Sequence, residues 1–262
     1  MAEHHVSQRL FAEFIGTALL VFIGAGSVPA ILLLESGSKA PFSGADLGFI
    51  SMAFGLVIVA LVYTIGKVSG CHINPAVTIS MAVTKRMPWA TAVPYVIAQC
   101  VGGTLGGLAI WGVFAHKVNA AGVGHIAYAA DTSIGSAMLN EGIGTAILLF
   151  TILGIVDTRS PEGWAGLVIG LVDVAIIITV GPVTNASLNP ARAIGPLFAT
   201  TIHGGVHNWT QQFLAYIPAN LVGAALACFA YDWMATPRKI SRPIKEAVTE
   251  PDRAVGDPVT TA

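Results

Sequence analysis

The sequence predicts an all-α membrane protein in which six transmembrane helices and two re-entrant half-helices form an inverted repeat. Composition is the first reason: 54% of the 262 residues are hydrophobic and only 10% are charged, whereas a soluble domain carries about 25% charged residues. The second is a set of six apolar runs, each near the roughly 20 residues a helix needs to cross a bilayer core. The third is a pair of short sequences that occur twice, at matching places in the two halves of the chain.

Taken in order, residues 1–8 are polar and read as a short cytoplasmic N-terminus. A membrane domain follows over 9–235, with repeat one at 9–116 and repeat two at 133–235. The expected spans are 11–34, 47–66, 90–114, 136–156, 164–180 and 213–233. The first apolar run exceeds the core of a signal peptide and has no A-x-A cleavage site, so it is expected to remain as a span. Residues 236–262 are rich in Pro and charge and read as a disordered cytoplasmic tail.

Two more apolar segments, 68–83 and 182–201, support helices of only about 10 residues, or about 15 Å. Each reaches half-way across. Irregular backbone at membrane depth is tolerated where protein buries it or a watery cavity receives it, so two such segments imply an internal pore. Short cytoplasmic loops are enriched in Lys and Arg. Arg9, Lys67, Lys85, Arg86, Arg159, Arg238, Lys239, Arg242 and Lys245 fall on one side of the six-span arrangement, against Lys39 and Lys117 on the other. Both termini are therefore expected in the cytoplasm.

Other function classes fit poorly. Thirteen basic and fourteen acidic residues nearly cancel, which leaves no basic field to attract nucleic acid. Cys71, Cys100 and Cys228 match no zinc or CxxC spacing and read as buried free thiols. No metal site is expected, and no HExxH or GxSxG motif suggests an enzyme.

The repeat is explicit. EFIGTALLVF from Glu13 returns as EGIGTAILLF from Glu141, and INPAVTI around Asn74 returns as LNPARAI around Asn189. Three spans separate equivalent points, so the second copy enters the membrane from the opposite side and the two half-helices meet tip to tip. Glu13 and Glu141 are costly inside a membrane unless partnered; each is expected to accept backbone N–H groups of the re-entrant loop. Asn74-Pro75-Ala76 and Asn189-Pro190-Ala191 combine a favoured N-cap with Pro at the first helical position. The Asn oxygen can cap the helix while its NH₂ group stays free for the lumen, where Asp would offer no donor. Helix N-termini add partial positive charge at the same place, opposing cations and a continuous proton relay. Symmetry breaks three residues on, where Val77 in one copy is matched by Arg192 in the other, a permanent charge near the outer side of the constriction.

SGCHINPAVT at Ser69 and SLNPARAIGP at Ser187 resemble the two signature loops of the aquaporin and glycerol-facilitator family, and the resemblance runs from about Arg9 to Asp232. It implies a homotetramer in the plasma membrane, with one pore per subunit that passes water or small neutral solutes without a cofactor. It also implies a four-residue filter at Phe54, Ile177, Ala186 and Arg192. Phe54 and Arg192 match the water-channel pattern; Ile177 replaces the usual His, and with Ala186 widens the opening. Glycerol facilitators tend to carry Asp and a basic residue where this chain has Ala193 and Leu197. The expectation is a passive water channel with a permissive filter that also admits glycerol or other small neutral solutes. A glycerol facilitator with water secondary and, behind it, a secondary transporter are the alternatives.

Three residues beside the motifs are further pore-lining candidates. Asp173 stands four residues before Ile177 and thus on the same helical face; it is expected to bind a donor-rich solute, to titrate as a gate, or to be a carboxylic acid kept neutral by burial or bonded to a neighbouring helix. Under the resemblance the Cys71 carbonyl lines the pore and its thiol is a target for mercurials. His72 is expected to bond within its loop, and His203 and His207 read as solvated outer-loop residues.

Overall fold

The computed structural model describes residues 4–36, 41–114, 123–205 and 208–236. The expected tail beyond Thr236, which carries Arg238, Lys239, Arg242 and Lys245, and Lys39, Lys117 and His207 lie outside these. Eight helices are described in chain order: α1 (Val6–Leu34), α2 (Gly44–Ser69), α3 (Pro75–Val83), α4 (Trp89–Phe114), α5 (Ile134–Val156), α6 (Ala165–Thr184), α7 (Pro190–Ile202) and α8 (Trp209–Ala235). All but α3 and α7 are long and apolar enough to cross a membrane.

The half-helices have 9 and 13 residues. α3 stops where Lys85 turns left-handed (φ 62°) ahead of Pro88, whereas α7 continues through an apolar run to the left-handed Gly204 (φ 76°). The second is thus a turn longer than the expected length. α1 and α8 each contain a widened π-type turn, at Val21–Ala25 and Gln212–Tyr216. In both cases a proline follows, Pro29 or Pro218, and its ring displaces a carbonyl four residues earlier, at Ala25 or Leu214.

Packing follows the repeat. α1 lies against α4 as α5 lies against α8; α4 packs on α7 as α8 packs on α3; α2 meets α6 across the middle. Close approach of α4 to its two neighbours explains GGTLGG. A Cβ at Gly103 or Gly107 would stand 2.6 Å from the carbonyl of Ala191 or Gly195 in α7, and one at Gly106 would stand 2.6 Å from the Ala18 carbonyl in α1. Small residues admit such backbone contact where lipid provides no hydrophobic drive between helices. Long apolar side chains such as Phe11, Ile97, Leu139 and Leu226 face outward.

Candidate functional site

Each half-helix is entered by a short stretch of strained backbone. Cys71 (φ 51°), Ile73 (φ 43°), Ala186 (φ 47°) and Leu188 (φ 54°) all adopt left-handed conformations, costly for a β-branched residue such as Ile73. Carboxylates hold these loops. Glu13 is fully buried and accepts from Ser69 Oγ (2.6 Å), His72 N (3.0 Å), Ile73 N (2.7 Å) and Gln99 Nε2 (2.7 Å). Glu141, also fully buried, accepts from Thr184 Oγ1 (2.6 Å), Ser187 N (2.9 Å) and Leu188 N (3.0 Å). Asn220 completes the second set when its amide is turned to suit its neighbours, donating to Glu141 Oε2 at 3.0 Å and accepting from Asn189 N at 3.2 Å.

Two amides and two tyrosines assist these acids, and the Asn-Pro motifs do not mark them. Gln99 and Asn220, with Tyr95 and Tyr216 one turn earlier, are equivalent between the halves: Tyr95 donates to the Ser69 carbonyl (3.1 Å) and Tyr216 to the Thr184 carbonyl (2.8 Å). The signal was present in YVIAQCVGG and YIPANLVGA, a third repeat in which a buried amide interrupts an apolar span.

Asn74 and Asn189 cap their half-helices: Asn74 Oδ1 accepts from Ala76 N (2.8 Å), and Asn189 Oδ1 from Ala191 N (3.0 Å) and Arg192 N (3.3 Å). Their amide groups are less free than expected. Asn74 Nδ2 donates to the Leu188 carbonyl (2.9 Å) and Asn189 Nδ2 to the Ile73 carbonyl (2.8 Å). Each NH₂ has two hydrogens, so one ties the opposite loop and one remains for the lumen. This reciprocal pair fixes the half-helices tip to tip.

Arg192 is buried, and its Nη1 donates to the Gly124 carbonyl (2.7 Å) while its guanidinium carbon sits 5.1 Å from the Phe54 ring centroid. A strap over 123–128 brings that carbonyl. Ile126 accepts from Asn208 Nδ2 (2.5 Å) and Gln212 Nε2 (3.1 Å), and Ala127 N donates to Asn185 Oδ1 (3.2 Å). Nothing in the motifs announced this strap. In it, burial and the nearby Arg192 charge push the His125 imidazole below its ordinary value.

A cavity of about 280 Å³ passes all these groups. Phe54, Ile177, Ala186 and Arg192 line it together with Cys71, His72, Asn74, Asn189 and Asp173. Pro75, Ala76, Pro190 and Ala191 form the buried first turns behind the Asn pair. His72 bonds to Thr78 Oγ1 through Nδ1 (3.0 Å) and sets its ring edge against Tyr95. The Cys71 thiol belongs to a residue 8% exposed, at the cavity wall. His203 is not simply solvated: it stacks on Trp111 with centroids 4.0 Å apart, and its Nδ1 pairs with the Ala199 carbonyl at 2.7 Å. Among the described residues no group of three His, Cys, Asp or Glu could hold a metal ion.

A cavity wall of apolar side chains that also holds the donors Asn74, Asn189 and Arg192 suits a channel for water and small solutes rather than a catalytic centre. Comparison with known proteins agrees. The chain is 41% identical to aquaporin AqpM of Methanothermobacter marburgensis over 243 residues, covering 87% of this chain and 98% of that protein. It is 37% identical to aquaporin Z of Bradyrhizobium diazoefficiens over 235 residues, covering 87% and 93%. Among solved structures, the aquaglyceroporin from Plasmodium falciparum matches with a TM-score of 0.77 at 26% identity, covering 89% of this chain and 98% of that one. A sequence profile described as major intrinsic protein matches residues 1–231, and with six membrane-crossing helices around a shared lumen the chain belongs to the major intrinsic protein family.

Proposed function

We propose that the protein is a passive channel for water whose filter also admits glycerol or other small neutral solutes. The observation that carries this reading is the reciprocal Asn74–Leu188 and Asn189–Ile73 bonding, which leaves one amide hydrogen of each Asn for a passing oxygen inside a lumen shared with Arg192. A water or hydroxyl oxygen must accept there, so its own hydrogens point away from the midpoint and a proton relay is broken. The Arg192 charge and two half-helix N-termini oppose cations. Ile177 and Ala186 support the broader solute range, because neither fills the lumen with a polar ring.

The reading includes a homotetramer in the plasma membrane with both termini cytoplasmic, supported by the Arg and Lys distribution and the apolar outer faces of the helices. Stopped-flow light scattering on proteoliposomes tests it. An outward osmotic gradient should shrink the vesicles much faster than protein-free ones, and an inward glycerol gradient should show measurable entry. Absence of both accelerations would overturn the open-channel reading, and saturable, ion-coupled flux would replace it with a transporter.

A further inference from the structure

Three acidic side chains are buried within the membrane-crossing part of the chain: Glu13, Glu141 and Asp173. The first two accept from the loops they hold. Asp173 is 4% exposed and lines the cavity, yet it accepts no hydrogen bond and makes no ion pair among the described residues. A carboxyl group inside a membrane protein without a protein partner is costly, and loop support, which explains the other two acids, is unavailable to it. Two other polar side chains on the same wall are committed to their own loops: His72 Nδ1 pairs with Thr78 Oγ1, and Ser187 Oγ donates to the Asn189 carbonyl.

Among the described residues that line the cavity, Asp173 is the one acid and Arg192 the one permanent cation. Val156 ends α5 and Ala165 begins α6, and both line the cavity, so they mark one of its mouths. Asp173 stands along α6 from Ala165 by a rise of about 12 Å, with Ile169 and Ile177 a turn to either side. An unmatched carboxylate on such a hydrocarbon wall favours one ligand chemistry, a small cation with N–H donors. A planar guanidinium suits it best. Two parallel N–H groups pair with both carboxylate oxygens, the ion sheds water more readily than an ammonium, and lumen water meets its remaining donors. Coulomb energy falls with distance, so contact with Asp173 outweighs repulsion from Arg192, which is not in ion-pair contact with it. Onward movement is opposed by Arg192 and the two half-helix N-termini.

We infer that Asp173 is the seat of a cation-blocking site: small planar cations of the guanidinium or amidinium type enter by the Val156 and Ala165 mouth, pair with Asp173 and plug the lumen without crossing it. The inference rests on the channel reading above and adds to it a ligand that stops the flow and is not itself conducted.

Water permeability of proteoliposomes holding the full chain tests this. Guanidinium chloride is present at equal concentration inside and outside, and tetramethylammonium chloride, which has the same charge and no N–H donor, is the control. One charge-assisted pair corresponds to binding in the millimolar range. Millimolar guanidinium should lower the wild-type water permeability severalfold, whereas tetramethylammonium should leave it unchanged. Flux through Asp173→Asn should respond to neither cation, and Asp173→Glu, which keeps the carboxylate, should still be blocked by guanidinium. If Asp173→Asn does not fold, the wild-type contrast between the two cations decides. No block in wild type, a block shared by tetramethylammonium, a block that survives in Asp173→Asn, or uptake of labelled guanidinium into the vesicles overturns the site and leaves the channel standing. No acceleration of water in wild type before any cation is added removes the channel and the site together.

Discussion

Replacing Glu141 by Gln tests the role of the buried acids most directly. Glu141 meets only donors: Thr184 Oγ1 and Ser187 N on one oxygen, Leu188 N on the other, with Asn220 beside it. A Gln amide keeps one oxygen and turns the second acceptor into a donor, so whichever way it lies, one backbone N–H of the 187–188 pair faces an NH₂ group. An unmet buried N–H costs about 1–3 kcal/mol, and the surviving bond, no longer to a charged acceptor, loses about 1 kcal/mol more. The sum, about 2–4 kcal/mol, is a large part of a typical stability of about 5–15 kcal/mol. It falls on a loop already holding Leu188 at φ 54°, whose carbonyl anchors Asn74. The expected result for Glu141→Gln is a thermal midpoint lowered by several degrees in detergent and a reduced water permeability per protein chain. Glu13→Gln, with the same geometry in the other half, should behave alike. Wild-type midpoint and flux in both variants would refute the view that these carboxylates hold the loops.

Other outcomes follow from the same structure. Asn74→Asp removes the donor to the Leu188 carbonyl and sets acceptor against acceptor, so water flux in proteoliposomes should drop more than for Val77→Ala, and equal flux would count against the reciprocal pair. Gly103→Ala forces a methyl 2.6 Å from the Ala191 carbonyl and should cost about 1–3 kcal/mol by overpacking, read as a lowered denaturation midpoint; an unchanged midpoint would mean α4 and α7 can separate freely. The His125 imidazole is held below its ordinary value by burial and Arg192. A depressed histidine leaves stability intact above the unfolded value near 6.5 and erodes it as pH falls below that point, because only the unfolded chain takes up the proton. Thermal midpoints measured from neutral to mildly acidic pH should therefore fall less in His125→Gln than in wild type. By contrast Arg86 and Asp232, an ion pair with side chains 29% and 46% exposed, should contribute at most about 1 kcal/mol, so Asp232→Asn should barely move the midpoint.

The sequence by itself determined the six spans, to within a few residues at most ends, because length and hydropathy are local properties that a bilayer enforces on each helix separately. It also determined the two half-helices, since Asn-Pro at a helix start is written in adjacent residues, and the repeat identified Glu13 and Glu141. Tertiary structure decided the rest. The Asn amides were expected to be free for the lumen, yet each spends a hydrogen on a carbonyl more than a hundred positions away, a contact that exists only once the two halves are packed in inverted order. Gln99, Asn220 and the 123–128 strap acquired their roles in the same way, from which helix lies against which loop. Asp173 shows the boundary most clearly: its helical face was legible from its spacing to Ile177, but only packing decides whether a neighbouring helix brings it a donor, and none does among the described residues.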